Sequence, residues 1–348
     1  MDENELMGSM KVSKAVAKMA IPSVISSLVT VVYNMADTFF VGQTGDPLQV
    51  AAVSQTNPIF ILFMAFANMF GMGGSAAASM ALGEKKEKRV KQVSSFITYA
   101  SLIVGIVFAV ILLVGMQPVL QLFGADADTY ELAKGYTTYI SYGAPFIIWS
   151  AAASFVVRSD GASREAMTGS MIGTVANIIL DPIFISGFGM GAAGAAIATT
   201  IGNIMASVYY LWYFCRKSRN MSMAFRYFKC GDRILSQVCS AGLPTAIFSA
   251  LMSISTIILN QILVAYGNAP VAAIGIVFKA NMFITFLQMG LANGVQPLLG
   301  YSYGAGNRER FIAVERYTKK CCLIVGVLAT ALFFFFREPI IRLFISDT

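Results

Sequence analysis

Apolar positions along this chain come in long, nearly unbroken blocks, and polar residues are confined to the short stretches between them. Nine blocks reach membrane-spanning length, near residues 19–41, 51–81, 93–115, 132–157, 167–187, 192–214, 236–266, 271–302 and 317–336. A crossing helix needs about 20 mostly apolar residues, and such helices tolerate internal Gly and Pro. The run from Leu102 to Gly115 has no period of two, which excludes a membrane β-barrel. The pattern predicts an all-α integral membrane protein with about nine transmembrane helices and no soluble domain.

Composition narrows the class in the same direction. Of 348 residues 57% are hydrophobic and only 12% charged, with a mean hydropathy of +0.68. That charged share is about half of what a soluble domain carries, so a cytosolic globular enzyme is excluded, along with disordered, collagen-like and disulfide-scaffold chains. The net charge of +7 sits in short loops, a pattern of membrane topology and not of nucleic-acid binding.

Those charges also predict orientation. Lys11, Lys14 and Lys18 precede the first block, and Lys85, Lys86, Lys88, Arg89 and Lys91 fill the second loop. The same side then takes Arg158 and Arg164, the group from Arg216 to Arg233, and finally Arg308, Arg310, Arg316, Lys319 and Lys320. Only Lys134, Arg337 and Arg342 fall on the other side. By the positive-inside rule the N-terminus and the even loops are cytoplasmic, in a multi-pass protein of the cell membrane. The first block is longer than a signal-peptide core and no small-residue cleavage site follows it, so it is expected to be retained. Cys215, Cys230, Cys239, Cys321 and Cys322 all fall at cytoplasmic positions, where reduced thiols are expected. The chain has no histidine, which removes His-dependent catalysis, His-ligated zinc and haem.

A shift of 221 residues superposes the chain on itself. Val50-Ala51-Ala52 falls on Val271-Ala272-Ala273, Gly83 on Gly304, and Leu102-Ile103-Val104-Gly105 on Leu323-Ile324-Val325-Gly326. Pro118 falls on Pro339 and Leu122-Phe123 on Leu343-Phe344, and one residue of slack pairs Pro22 with Pro244. Each unit would hold six helices, giving halves of parallel topology with a substrate site between them, a common transporter plan. The expected organisation is an N-terminal six-helix lobe over 1–214, a cytoplasmic linker over 215–235 and an incomplete C-terminal lobe of about three helices over 236–348. Asp347 pairs with Asp126, ahead of the fourth helix of the first unit, so three further helices matching residues 132–214 are expected in a complete, twelve-helix chain.

Ionisable residues at membrane depth are costly and mark function by default. Of 18 acids only Asp37 and Asp181 lie inside the apolar blocks. Ser23, Ser27, Thr30, Asn34 and Asp37 form one polar stripe on the first helix, and Gly169, Gly173, Asn177 and Asp181 recur every four residues on the fifth. The glycines let another helix approach closely. At 1.5 Å per residue both acids sit in the outer half, a depth that Thr199 also reaches from the outside. Asp37, Asn177, Asp181 and Thr199 are therefore candidates for one pocket, suited to a hard cation such as Na⁺ or to a proton held on a buried carboxyl. The competing reading makes Asp37 an interfacial residue and Asp181-Pro182 a helix end. Asn34, Tyr139, Lys279 and Gln288 are candidates for a substrate chamber. Lys279 is equally placed to snorkel outward, and Gln288 and Gln296 to act as hydrogen-bond glue.

Other signals carry less. Gly189-Met190-Gly191-Ala192-Ala193-Gly194 fits a dinucleotide-binding pattern, but no strand precedes it and it falls in a hairpin between two apolar blocks. No Walker loop occurs, and neither nucleotide nor nucleic acid is an expected partner. The Lys85–Lys91 run is expected to meet anionic lipid. The stretch Arg216–Arg233, with Phe225, Tyr227 and Phe228 interleaved, reads as an interfacial linker.

Several motifs carry a family resemblance. Asp37-Thr38-Phe39-Phe40-Val41-Gly42 after Pro22, Asn177-Ile178-Ile179-Leu180-Asp181-Pro182 and Gly194-Ala195-Ala196-Ile197-Ala198-Thr199 resemble the multidrug and toxic compound extrusion (MATE) family, of the DinF-like and MepA-like type. Gln296-Pro297-Leu298-Leu299-Gly300-Tyr301 followed by Gly304-Ala305-Gly306 resembles that family's second-half signature. The resemblance implies two six-helix lobes and export of organic cations against an inward flow of Na⁺ or H⁺. It implies a coupling site at Asp37, Asn177 and Asp181, with Thr199 as partner. The NorM-type variant, with acids in the second lobe, lacks support because spans seven to nine contain none. The expected function is secondary active efflux of cationic amphipathic compounds by a monomer in the lipid bilayer, with no cofactor. A lipid-linked saccharide flippase of the same broad superfamily is the alternative. An intramembrane enzyme would need a nucleophile–base pair, and none is evident.

Overall fold

The computed structural model describes residues 3–336, apart from 43–44, 230, 232 and 265–267. Cys230, the Lys279 side chain, and Arg337 and Arg342 lie outside the described residues. Long apolar runs with no water to satisfy their backbones have one solution on a single segment, the α-helix. Among the described residues every regular element is helical. In chain order these are α1 (Glu3–Gly8), α2 (Val12–Gly42), α3 (Pro47–Gly83), α4 (Glu87–Val114), α5 (Met116–Leu122) and α6 (Tyr130–Ser159). They continue with α7 (Ser163–Pro182), α8 (Gly191–Arg216), α9 (Ile234–Val264), α10 (Asn268–Gly304) and α11 (Arg308–Phe335).

Seven helices among the described residues are long and apolar enough to cross a membrane: α2, α3, α4, α6, α7 with the turn that continues it, α8 and α11. Helices α9 and α10 stand where the seventh and eighth apolar blocks fall. Several helices outrun their blocks, α2 into Lys14 and Lys18 and α4 into Lys88 and Lys91, each by nearly two turns. Apolar length sets the membrane portion, whereas helix length follows capping. Asp46 accepts from the Leu48 amide at 2.9 Å with Pro47 in the first turn of α3, and Asn307 accepts from the Arg310 amide at 2.9 Å on α11. The two short helices α1 and α5 left no signal in the apolar pattern, being too short for any hydrophobic block.

The repeat recurs in the helix lengths. Helices α3 and α10 have 37 residues each and α4 and α11 have 28 each, all four bounds related by the same 221-residue shift. Helices α2 and α9 have 31 residues each and are offset by one more. Packing repeats too, crosswise. A Cβ on Gly83 would stand 2.2 Å from the Tyr301 carbonyl oxygen, and a Cβ on Gly304 would stand 2.1 Å from that of Met80. Helices α3 and α10 thus cross through matching glycines. Gly73 on α3 meets α9 at Val238, while its mate Gly294 on α10 meets α2 at Met19 and Ala20. These approaches lie toward the ends bearing the basic loops.

The main core fills the space among α3, α4, α6, α7 and α8, with Phe70, Phe96, Trp149, Tyr210 and Tyr213 buried in it. Ile103, Ile106, Val107, Val110 and Ile111 of α4 face outward and are each about half exposed, as a lipid-facing helix requires. The segment after α8 is tied to α4. Ser94 and Tyr99 donate to the carbonyls of Ser222 and Met223 at 2.9 and 3.0 Å, and Phe228 stacks on Phe96. Asp160, at the end of α6, accepts from Tyr213, Ser218 and Asn220.

Candidate functional site

Two glycines set the geometry. A Cβ on Gly173 of α7 would stand 2.8 Å from the Gly202 carbonyl oxygen of α8, and one on Gly202 would stand 2.6 Å from that of Gly173. The two backbones touch there, so the next side chains along each helix must face each other. On α7 these are Asn177 and Asp181, and on α8 Thr199. The close approach expected from the glycine stripe is the contact that builds the pocket.

Asp181 is fully buried, Asn177 is 3% exposed and Thr199 6%, so their polar atoms must find partners within the protein. The amide of Asn177 takes the orientation that suits its neighbours: its nitrogen donates to Asp181 Oδ2 at 2.9 Å and its oxygen accepts from the Thr199 hydroxyl at 3.2 Å. Tyr33 Oη lies 3.5 Å from Thr199 Oγ1. Behind Thr199, Asn203 donates to the Thr199 carbonyl at 2.9 Å and accepts from Ser150 at 2.8 Å. Asp181 Oδ1 is buried and has no hydrogen-bond partner. An acceptor left over in an otherwise satisfied network has the chemistry to take a proton or a small cation.

Asp37 comes from α2, half-buried and within Coulombic reach of Asp181. Tyr33 and Tyr136 are half-buried within Coulombic reach of both carboxylates. Val41, Ile185 and Ala195 close the far side as an apolar cluster, with Phe40 and Tyr136 packed on it. Helix α7 passes into a π-helical turn, Ile183–Gly187, directly after Asp181-Pro182. Proline's missing N–H and the wider turn let the chain leave α7 without exposing Asp181. Among the described residues no three carboxylate or thiol groups cluster as a polydentate metal site would require.

A cavity of about 440 Å³ opens beside the cluster, lined by Tyr33, Asn34, Asn177 and Thr199 and by Phe60, Met64 and Asn68 of α3. Phe286, Met289 and Asn293 of α10 close it. Of the chamber candidates, Asn34 lines this cavity. Tyr139 turns elsewhere: it is 36% exposed, and its carbonyl accepts from Thr200 at 3.0 Å. Gln288 lines a separate cleft of about 1170 Å³ between α10 and α11. Gln296 donates to the Met72 carbonyl at 3.1 Å, the bonding role expected of it. Of the dinucleotide-like glycines, Gly189 lies in the turn before α8 and Gly191 opens the helix, both at positive φ, Gly194 lies within it, and Gln49 accepts from the Ala192 amide at 2.8 Å.

Three residues in or beside the candidate site escaped the sequence. Tyr33 is one turn before Asp37 and was legible from that spacing. Tyr136 was not, since α6 also carries Tyr130, Tyr139 and Tyr142 and nothing in the pattern selects among them. Arg158 was placed in a solvated loop, and the structure corrects this: it is buried on the last turn of α6, 6% exposed, below Ser150 and Ser154 on one face.

Comparison with known proteins gives a consistent result. The MatE family profile matches residues 22–183 and 244–348, once on each repeat. Multidrug export protein MepA of Staphylococcus saprophyticus is 32% identical over 336 residues, covering 97% of this chain and 74% of the relative. MepA of Staphylococcus aureus strain NCTC 8325 is 31% identical over the same length and shares. A solved structure described as the outward-facing conformation of a multidrug resistance MATE family transporter of the MOP superfamily superposes with a TM-score of 0.93 at 26% identity. It covers 100% of this chain and 77% of its own.

Proposed function

The chain belongs to the MatE family of multidrug and toxic compound extrusion transporters, and from that premise we propose that it is a secondary active antiporter. It exports cationic, amphipathic compounds across the cell membrane against Na⁺ or H⁺, through nine crossing helices with its N-terminus in the cytoplasm. The coupling site comprises Asp37, Asn177, Asp181 and Thr199. The observation that carries the reading is the pair of carboxylates from α2 and α7 within Coulombic reach of each other on two long apolar helices, with one buried oxygen of Asp181 unpartnered.

Two like charges in a low-dielectric pocket repel strongly unless a proton or cation joins them. Binding of external cation removes that repulsion and draws Asp37 on α2 toward Asp181 on α7. Pro22 leaves the α2 ladder one hydrogen bond short, so the helix bends there at low cost and its polar stripe shifts against the cavity. The cavity's Phe60, Met64 and Met289 offer an adaptable apolar surface for a drug-sized cation. Bound cation and bound drug then compete through the position of α2.

The test is uptake of a fluorescent organic cation into inverted vesicles, with ΔpH and ΔNa⁺ imposed separately. Asp37→Asn and Asp181→Asn are each expected to abolish gradient-driven uptake while the protein stays in the membrane. Full uptake by the double variant would refute a carboxylate site in this half of the chain.

A further inference from the structure

The cavity beside the carboxylates has an opposite pole. Ser150, Ser154 and Arg158 recur every four residues on α6 and all line it, so the stripe runs some 12 Å from the Thr199 network to the basic-loop end. Arg158 is buried, with 6% exposure, and its Nε proton has no acceptor. No carboxylate within 4 Å pairs with it among the described residues, and none of the residues lining the cavity is acidic.

The nearest acids in sequence are committed elsewhere. Asp160 accepts from Tyr213 at 2.9 Å, Ser218 at 2.7 Å and Asn220 at 3.0 Å. Glu165 holds Lys217 and the Tyr209 hydroxyl. What offsets the burial of the guanidinium is the Phe155 ring at 5.1 Å, the Tyr210 phenol within Coulombic reach and the C-terminal end of α6. None of these supplies an acceptor to the unpartnered Nε. A buried charge without an acceptor is costly, and a planar guanidinium is shaped for bidentate recognition of an oxyanion.

We propose that Arg158 is the anion-binding pole of the cavity, taking a carboxylate, phosphate or sulfate oxyanion carried by an amphiphile whose apolar body lies against Phe60 and Met64. The ligand class thereby widens from cations to zwitterions and anionic amphiphiles. The source of the oxyanion is either a substrate or a lipid headgroup. The proposal rests on the reading of this cavity as the transport chamber. Its test uses equilibrium binding without an ion gradient, so a failure of coupling at Asp37 or Asp181 leaves it untouched.

The probes are a carboxyrhodamine and its methyl ester, a matched pair that differs in one negative charge. Fluorescence anisotropy on the purified chain in a neutral maltoside detergent gives the two dissociation constants. The wild-type protein is expected to bind the carboxylate dye about tenfold more tightly than the ester, the scale of a charge-assisted hydrogen-bonded pair. Arg158→Gln is expected to remove that preference and leave the ester within twofold. Arg158→Lys, which keeps the charge and loses the fork, retains part of it.

Equal affinity of the wild-type protein for the two dyes overturns the proposal, and that comparison needs no variant to fold. Parallel loss of both dyes in Arg158→Gln also overturns it, by making the arginine structural. Added phosphatidylglycerol distinguishes the sources: competition against the carboxylate dye assigns the pole to a lipid headgroup, and its absence to a soluble substrate. Both results support an oxyanion site, because both require the carboxylate preference.

Discussion

Thr199 and Thr200 are adjacent on α8, have the same chemistry, and face different helices. Thr199 is 6% exposed, with its hydroxyl 3.2 Å from the Asn177 amide and 3.5 Å from Tyr33 Oη. Thr200 donates to the Tyr139 carbonyl at 3.0 Å and packs against Gly143 of α6. Thr199→Val removes one hydroxyl at constant shape and takes away one of the two donors to the Asn177 oxygen, which keeps the Thr199 amide at 2.9 Å. The loss of one such hydrogen bond costs about 0.5–1.5 kcal/mol. If that cost falls on the cation-loaded state, half-maximal transport needs roughly two- to 13-fold more external cation. Thr200→Val loses one bond to a backbone carbonyl at the α6 contact, which costs stability of about 1 kcal/mol and nothing at the carboxylates. The assay is initial uptake of fluorescent cation into inverted vesicles as a function of driving-cation concentration. Thr199→Ser serves as the control that keeps the hydroxyl. A silent Thr199→Val beside a damaging Thr200→Val would refute the assigned facing of α8 and the four-residue site with it.

Gly83→Ala and Gly304→Ala each place a Cβ near 2 Å from a backbone oxygen across the α3–α10 crossing; overpacking of this kind costs about 1–3 kcal/mol. Each is expected to lower the population of the arrangement described here, read as a change in spin-label distance between α3 and α10, and an unchanged distance distribution would count against it. Arg310 donates to the carbonyls of Leu6, Met7 and Met10 from the start of α11, so Arg310→Gln should speed amide exchange over residues 3–10 by at least tenfold while leaving exchange in α6 unchanged. Asp160 is held above the ordinary carboxylate range by burial, against the three hydrogen bonds that pull it down. With the folded pKa above the unfolded one, the folded state binds more protons in the interval between them, so stability falls as pH rises through that interval. Thermal melts in detergent should show this slope in the wild-type protein, and Asp160→Asn should flatten it.

How much of this was legible depended on the range of the interaction. Helix positions followed from apolar blocks because the bilayer imposes a length on them. Asp37 and Asp181 stood out because a carboxylate in an apolar run has few cheap explanations, and the Gly169–Gly173 stripe signalled the close approach that α8 makes. Tyr136 stayed hidden because its place beside the carboxylates depends on the rotation of α6 against α2 and α7, which sequence spacing on one helix does not encode. Arg158 was misplaced for a related reason. The apolar block ends at residue 157, and hydropathy assigns the next charge to water, whereas α6 continues for two residues beneath the segment that Asp160 anchors. Gln288 and Asn293 stand five residues apart on α10 and both line the cleft against α11, but only Asn293 also reaches the cavity beside the carboxylates. Helical phase decides which of them does, and the phase is set by the α2–α10 glycine contacts.

The matched crossing of α3 and α10 has a mechanical consequence. Met80 and Tyr301, like Gly83 and Gly304, occupy equivalent places about a shared pivot, so the pivot looks the same from either half. A bearing with that symmetry resists tilting equally in both senses and cannot by itself rectify motion. The bias must come from whatever is not duplicated. Leu259 stands at the place on α9 that Asp37 holds on α2, so at this position the repeat carries the frame forward without the charge. In the proposed antiporter, a push entering at Asp37 has no counterpart across the pivot.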